Sequence, residues 1–181
     1  GYYNQNLINN QEFFQKKFKN KKFNFNQELF QAWCDGKTGF PVVDAGMREL
    51  NETGFMHNRA RLITSNFLNR IFGFHYKWSE FYYAKMLLDY DPYINNGNHQ
   101  WTASVGVDPK PFNQRLFNPW LQSKKFDEDC TYIKKWIPEL KNVFNRNIHN
   151  WSKNYLKYDL KTINYVKPIV NYEQQRKKSI E

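Results

Sequence analysis

The sequence predicts an all-α fold. Apolar residues recur three and four positions apart in most segments, and Pro and Gly separate those segments. In no stretch do apolar and polar residues alternate as they do in a half-buried strand. With 181 residues the chain is long enough to bury a core, and an aromatic share of 19% makes Phe, Tyr and Trp its expected main components.

The first elements follow from helix start and stop signals. We interpret residues 1–27 as a polar lead-in whose Lys run forms a solvated face. "QELFQAW" predicts a short helix that ends at the glycine-containing "CDGKTG". "PVVDAGMREL" predicts the next helix, with Pro41 at its first position and Gly54 as its C-terminal cap. Its buried side is expected to carry Val42, Val43, Met47 and Leu50.

The stretch "TGFMHNRARLITSNFLNR", residues 53–70, predicts a helix to about residue 72. Its apolar positions are Met56, Ala60, Ile63, Phe67, Leu68 and Ile71. Its first turns are polar, because they contain His57, Asn58, Arg59 and Arg61. Asn58 and Arg61 share a helical face, and Arg59 points away from it. One helical turn can therefore present an amide and a cation to one ligand, and a second cation to another ligand.

A further helix is predicted over roughly 78–89, ending in "LLDYDP". Acidic residues at a helix C-terminus oppose its dipole, so Asp89 and Asp91 call for a positive partner, and Arg61 is the natural one. These residues are equally consistent with a buried structural Arg–Asp ion pair and with a ligand-binding site. "YINNGNHQW" is interpreted as a loop that enters another helix. Two roles for this loop stay open: it binds a heteroaromatic edge or a phosphate, or it is only a capped turn.

The last part of the sequence is predicted to continue the same domain. "FDEDCTYIKKWIPEL" predicts a compact helix with Asp127 or Asp129 as N-cap and Pro138 near its end. "RKKSIE" is interpreted as a basic tail. The expected organisation is a lead-in over 1–27, a helical domain over 28–145, and a polar basic C-terminal part over 146–181.

Charge and composition restrict the class of protein. A net charge of +10 favours an anionic partner such as nucleic acid, but enrichment in Lys and Asn is equally what an AT-rich genome produces. Cys34 and Cys130 have no metal-ligand spacing, so we expect reduced thiols in an intracellular protein and no metal site. No signal peptide or long apolar run predicts a membrane segment. The sequence has neither a phosphate loop nor a nucleophile elbow.

Several long motifs together resemble the photolyase/cryptochrome family. They are "GKTGFPVVDAGMRELNETGFMHNRARLITSNFL", "LLDYDPYINNGNHQW", "RLFNPWLQSKKFD", "YIKKWIPEL" and "NYVKPIVNYEQQRKKSIE". The similarity is to the C-terminal FAD-binding helical domain, and "MHNR" is most like the class I photolyases that repair cyclobutane pyrimidine dimers. The resemblance implies that the N-terminal part of this domain and the α/β antenna domain are missing from the sequence.

The resemblance also implies an activity. Family members use light and reduced FAD to transfer an electron to the dimer, which then splits, after the damaged bases have been flipped out of the duplex. The implied partners are UV-damaged DNA containing pyrimidine dimers and a separate N-terminal photolyase chain, with any antenna chromophore bound by the missing domain. The implied location is cytoplasmic or nucleoid-associated, or nuclear in a eukaryote.

Residue roles come from matching positions. Asn95 and Trp101 match catalytic positions, Asn95 beside flavin N5 and Trp101 against the dimer. The implied FAD-binding residues are Phe55, Asn58, Arg61, Asp89, Tyr90, Asp91 and Asn95. The implied DNA-binding residues are Asn58, Arg59, Trp101, Arg115 and Gln122.

The sequence departs from the family pattern at the electron relay. Phe23, Tyr76 and His99 occupy positions that usually hold three Trp residues, so the usual relay is expected to be cut. Leu62 replaces a usual Met, a change that conserves volume. The loop that grips the FAD phosphates is also absent. Two alternatives therefore stay open: a cryptochrome-like flavin photosensor, and a degenerate DNA-binding module without flavin.

Overall fold

The computed structural model describes residues 22–104 and 116–180, which form helices and no β-strand. The all-α prediction is confirmed for this part of the chain. We number the α-helices in chain order: α1 Gln27–Cys34, α2 Pro41–Thr53, α3 Asn58–Asn66, α4 Tyr76–Met86, α5 Pro92–Thr102, α6 Pro119–Phe126, α7 Thr131–Trp136, α8 Asn145–Ile148, α9 Trp151–Asn154, α10 Leu160–Ile163 and α11 Tyr172–Ile180. A π-helical segment, Phe67–Ile71, follows α3 directly.

Helix α2 runs through the core of the fold. It begins with Pro41 as its first residue and ends at Gly54, whose φ of 69° is left-handed and whose N–H donates to the Leu50 carbonyl at 2.8 Å. Both predicted ends are confirmed. Residues 41–47 and Leu50 are all buried, because the helix contacts α3, α6 and α7. It is therefore enclosed on more sides than the predicted apolar face.

A buried carboxylate on α2 ties the C-terminal part of the chain to the start of the helix. Asp44 accepts hydrogen bonds from the Thr38 amide (2.8 Å), the Thr38 hydroxyl (2.6 Å), the Gly39 amide (2.9 Å) and the Tyr165 hydroxyl (2.5 Å). Burial raises the pKa of Asp44, although these four donors favour its charged form. The Ile169 amide also donates to the Thr38 carbonyl at 2.9 Å. Sequence reasoning did not single out Asp44.

The predicted helix over 53–72 is divided into two parts. Helix α3 begins at Asn58, and the wider π-helical turn takes over at Phe67, with the Phe72 amide donating to the Phe67 carbonyl at 3.1 Å. The predicted apolar face is confirmed, because Met56, Ala60, Ile63, Phe67, Leu68 and Ile71 are all buried. The π-helical segment also buries Arg70, which donates to the Ser104 hydroxyl at 2.7 Å.

Two predictions about the middle of the chain were wrong. The helix predicted over 78–89 is α4, which ends at Met86, so Asp89 and Asp91 lie outside it. The segment interpreted as an Asn-rich loop lies inside α5, which begins at Pro92. Asp91 is the N-cap of α5, and its carboxylate accepts from the Tyr93 and Ile94 amides at 2.9 and 3.0 Å. Its charge therefore complements the helix dipole instead of opposing it.

The C-terminal helices are shorter than predicted. Helix α7 covers only Thr131–Trp136, and Pro138 begins a separate 3₁₀ turn. Asp127 does bind the first turn of α7, accepting from the Tyr132 and Ile133 amides at 3.0 and 2.8 Å, whereas Asp129 does not cap it. The "RKKSIE" stretch, expected as a tail, largely belongs to α11.

Residues after 146 contribute to the same core as α2. Ile148, Trp151, Tyr165 and Tyr172 are buried in the hydrophobic cluster that includes Trp33 and Met47. Cys34 and Cys130 are buried free thiols, as predicted. Among the described residues, no helix combines the length and apolar character needed to cross a bilayer.

Candidate functional site

A cavity of about 160 Å³ lies beside α3, between the connection that joins α4 to α5 and one face of α5. Eight of the residues singled out in the sequence line it: Asn58, Arg61, Leu62, Asp89, Tyr90, Asp91, Asn95 and His99. These positions extend over 42 residues of sequence, and the packing of α3, α4 and α5 brings them together. The polar start of α3 is therefore one wall of a cavity, while the apolar remainder of the segment lies in the core.

Arg61 and Asp89 form the expected ion pair. Arg61 Nη2 lies 3.0 and 2.8 Å from the two carboxylate oxygens of Asp89, and Arg61 Nε donates to the Met56 carbonyl at 2.6 Å. The guanidinium carbon lies 5.3 Å from the ring centroid of Phe55, within cation–π range. Because three groups hold the guanidinium, its orientation in the cavity wall is fixed.

Helix α5 supplies the opposite wall through one helical face. Asp91, Ile94, Asn95, Asn98 and His99 recur at helical spacing and all line the cavity. Asn95 is 9% exposed, and its Nδ2 donates to the Glu80 carbonyl at 3.4 Å. That bond uses one of the two amide N–H groups and fixes which way the amide faces, and Asn95 Oδ1 can accept a hydrogen bond from a ligand.

His99 is the most buried residue of this wall, with 2% of its surface exposed. Its Nδ1 lies 2.8 Å from the Ser79 hydroxyl, whose proton has two other acceptors within reach, Asn69 Oδ1 at 3.0 Å and the Tyr76 carbonyl at 2.8 Å. Ser79 has one proton, so when that proton goes to Asn69 or Tyr76, a neutral His99 with its proton on Nδ1 completes the network by donating to the Ser79 oxygen. Burial lowers the pKa of His99 to about 3, so the imidazole is neutral at pH 7.

Tyr83 contributes the innermost aromatic ring of the cavity. Its ring meets that of His99 edge-on at 4.7 Å, and its hydroxyl is bonded to the Thr64 hydroxyl and donates to the Arg61 carbonyl at 3.2 Å. Burial raises the pKa of Tyr83 well above its usual value. The phenol therefore stays protonated and serves as a rigid, neutral part of the wall.

Of the three residues predicted to occupy relay positions, Phe23 is half-buried, Tyr76 is buried and His99 lines the cavity. Phe23 packs in the cluster of Tyr76, and both rings contact that of His75, at 4.6 and 4.7 Å between centroids. Tyr76 and His99 both bond Ser79. The residues at these positions are Phe, Tyr and neutral His, and the phenyl and imidazole rings are harder to oxidise than indole.

Other predicted residues lie outside the cavity lining. Phe55 is 52% exposed and contacts the site only through Arg61, and Arg59 is exposed. Trp101 and Gln122 are half-buried. Arg115 lies outside the described residues.

Sequence reasoning missed part of the lining: Ser65, Tyr83, Leu87, Ile94 and Asn98. Helical spacing was the available signal for most of them. Ser65 lies one turn after Arg61, and Leu87 lies one turn after Tyr83. Ile94 and Asn98 share the face of Asn95 once residues 92–102 are recognised as a helix.

The lining fits a flat heteroaromatic ring better than a diphosphate. It combines amide donors and acceptors with aromatic and aliphatic walls, which suits the ring of FAD. Its one described permanent cation, Arg61, is paired with Asp89, and Asp91 adds another carboxylate, so a diphosphate would be repelled. Within the described ranges, no three His, Cys, Asp or Glu side chains are grouped to hold a metal ion.

Comparison with known proteins gives consistent results. Residues 1–181 match the family model described as the FAD binding domain of DNA photolyase. The deoxyribodipyrimidine photo-lyase of Buchnera aphidicola from Acyrthosiphon pisum is 50% identical over 158 residues, which cover 86% of this chain and 32% of that protein. The Escherichia coli K12 protein of the same name is 43% identical over 151 residues, covering 83% and 32%.

Two solved structures are also similar. A photolyase from Sulfolobus tokodaii, with two FAD molecules, has a TM-score of 0.85 and 40% identity over 98% of this chain and 39% of that one. A cryptochrome from Synechocystis has a TM-score of 0.80 and 37% identity, covering 90% and 35%. The chain spans about a third of the length of the curated relatives it matches.

Proposed function

Since the chain belongs to the family of FAD-binding domains of DNA photolyases, we propose that it forms the flavin-ring side of an enzyme that repairs cyclobutane pyrimidine dimers with light. The observation that carries the proposal is the cavity in which Asn58, the Arg61–Asp89 pair and Asn95 converge. A DNA-binding module without flavin has no need for these four together. The chain's relatives named deoxyribodipyrimidine photo-lyase support the same substrate.

A bound flavin ring, reduced and excited by light, would supply the electron that starts cleavage of the dimer and would recover it when the dimer has split. The residues of this chain bind and orient that ring. The fixed Arg61–Asp89 pair presents a cation and an anion side by side, which suits adjacent acceptor and donor atoms at a ring edge. Asn95, with its amide nitrogen bound to Glu80, offers Oδ1 to a ring N–H and holds that proton.

The wall formed by Tyr83, Leu87 and His99 has a second role. All three are buried and neutral, so they exclude water from the inner side of the cavity, whereas the Arg61–Asp89 pair stays partly exposed. With His99 in the position nearest the flavin, reduction of FAD through the usual Trp relay is not expected. Flavin that is already reduced needs no such relay, so repair itself remains available.

We place the damaged DNA at the start of α3. Arg59 is exposed there and points away from the cavity residues Asn58 and Arg61, so it is free to contact a phosphate. Trp101 and Gln122 are proposed to contact the flipped bases, and Arg115 the DNA backbone. These roles rest on the family resemblance. The proposed setting is the cytoplasm or nucleoid, or the nucleus in a eukaryote, where DNA is the substrate.

The test uses the chain with and without a polypeptide that supplies the remaining two thirds of a relative. Each sample is incubated with FAD, desalted, chemically reduced and mixed with an oligonucleotide that contains one thymine dimer. We expect flavin to be retained, and the dimer to be reversed in light but not in darkness, when both polypeptides are present. Flavin bound without any light-dependent repair would overturn the proposal.

A second candidate is a flavin photosensor without repair. It is favoured by the neutral His99 at the relay position and by the similarity to a Synechocystis cryptochrome. The same experiment separates the two. Retained flavin, unrepaired dimers and a light-induced spectral change would support the photosensor.

A further inference from the structure

A second concave surface lies away from the cavity, around the segment that precedes α8. It has a volume of about 680 Å³ and is lined by Lys134, Lys141, Asn142, Val143, Phe144, Asn145 and Arg146. These seven residues include three cations and two amides and no carboxylate. The nearby Glu139 is bound to Arg48 at 2.8 Å, so it does not neutralise the lysines. Asp129 lies close by, since its carbonyl accepts from Asn145, but it is not part of the lining, which therefore carries three positive charges.

An exposed aromatic ring stands within this surface. Phe144 is 66% exposed, although the residue before it, Val143, is only 3% exposed. The segment is held rigidly: the Phe144 carbonyl accepts from the Asn147 and Ile148 amides at 2.8 and 3.1 Å, and Asn145 Nδ2 donates to the Asp129 carbonyl at 3.0 Å. The exposure of Phe144 thus belongs to an ordered backbone and is not the result of a frayed end.

Arg146 stands beside the ring, with its guanidinium carbon 5.7 Å from the Phe144 centroid. A flat apolar ring next to several cations is the arrangement that binds single-stranded nucleic acid, because a base stacks on the ring while the cations contact phosphates. We propose that Phe144, Lys134, Lys141 and Arg146 form an auxiliary site for single-stranded DNA. One base stacks on Phe144, and the flanking phosphates are bound by the three cations.

Other polyanions fit this surface less well. An acidic peptide would satisfy the cations but would not need the exposed ring, and the bases of a duplex are stacked on each other and not available to it. The site requires neither flavin nor a lesion. The proposal is therefore independent of the repair function and is tested in darkness without FAD.

The first test addresses the ring. Binding of a labelled short oligothymidylate to the full chain is measured by fluorescence anisotropy for Phe144→Leu and for Phe81→Leu. Phe81 on α4 is also 66% exposed, so it is a matched control for the loss of an exposed phenyl ring. Leu keeps an apolar side chain but lacks a flat face. We expect Phe144→Leu to weaken binding about fivefold or more and Phe81→Leu to leave it unchanged. Equal affinities for the two variants would refute stacking on Phe144.

The second test addresses the cations. Each phosphate contact to a single strand contributes about 0.7 to the slope of log affinity against log salt concentration. Replacing Lys134, Lys141 and Arg146 by Ala should therefore reduce the magnitude of that slope by about 2. Replacing the exposed Lys153, Lys157 and Lys161 by Ala is the charge-matched control and should change it less. Equal slopes for both triple variants, or competition by polyglutamate as effective as that by unlabelled oligothymidylate, would overturn the proposal.

Discussion

Mild acid is expected to destabilise the fold through His99, and His99→Gln should remove that effect. The imidazole is 2% exposed, and burial lowers its pKa from the ordinary 6.5 to about 3. Above pH 6.5 the histidine is neutral in both states and contributes no pH dependence. Below pH 6.5 the unfolded chain binds a proton that the folded chain does not, so stability falls as the pH decreases toward 3.

The size of the effect follows from these two pKa values. Each pH unit within the window changes the free energy of unfolding by about 1.4 kcal/mol for one proton. Lowering the pH from 7 to 5 should therefore reduce stability by about 2 kcal/mol through His99 alone. Burial also lowers the pKa of His75, to about 4, so His75 acts in the same direction. The His99→Gln variant should therefore keep part of the acid sensitivity.

Urea unfolding at pH 7 and pH 5 measures the effect in the parent chain and in His99→Gln, which can still bond the Ser79 hydroxyl. The control is His57→Asn, because His57 is exposed and Asn keeps a side-chain acceptor at the N-cap of α3. The difference in the free energy of unfolding between pH 7 and pH 5 should shrink by about 2 kcal/mol in His99→Gln and should not shrink in His57→Asn. A reduction below about 0.5 kcal/mol would show that His99 is not buried as a neutral group.

The other predictions concern the cavity and the DNA-binding surface. Asp89→Asn should lower stability by about 1 kcal/mol or less, because the pair with Arg61 is partly exposed, yet it should reduce flavin retention after desalting more than Asp91→Asn does. Asp91→Ala should cost about 1 kcal/mol in urea unfolding, whereas Asp91→Asn should be nearly neutral, since Asn also caps a helix; equal losses would contradict the capping role. Asn95→Ala should shift the reduction potential of flavin bound to the complete protein while changing unfolding little, and an unchanged potential would sink its assignment. Arg59→Ala should weaken binding to dimer-containing duplex and reduce the salt slope by about 0.9, and a constant slope would mean that Arg59 contacts no phosphate.

Local signals predicted well the elements whose ends are marked by Pro and Gly. Pro41 and Gly54 delimit α2 in the sequence as they do in the structure, because both act through their own backbone preferences. The start of helix α5 was predicted too late because Asn and Gly, which dominate its first turns, have low helix propensity. The cap from Asp91, Pro92 at the first position, and the packing of Asn95 and His99 against α4 outweigh that propensity.

Features that depend on distant contacts could not be read from the sequence in this way. The role of Asp44 depends on Tyr165, far along the chain, and the buried polar side chains of the π-helical segment, Asn69 and Arg70, bond the distant residues Thr102 and Ser104. In the site, the Arg61–Asp89 pair was predicted from the expected position of Asp89 at a helix C-terminus and from the family resemblance, and the pair forms although that helix ends at Met86. Tyr83 and Leu87 line the cavity because of the way α4 packs against α3 and α5.

The bond between Asp44 and Tyr165 also has a consequence for synthesis on the ribosome. The two residues are 121 positions apart, so at ordinary elongation rates Tyr165 is made about 6 to 24 s after Asp44. Throughout that interval the Asp44 carboxylate, which is buried in the folded chain, can bond only Thr38 and Gly39 among its three partner residues. The hydrophobic surface around α2 therefore stays incompletely covered until the C-terminal segment has been synthesised. Chaperones can bind this surface during that interval.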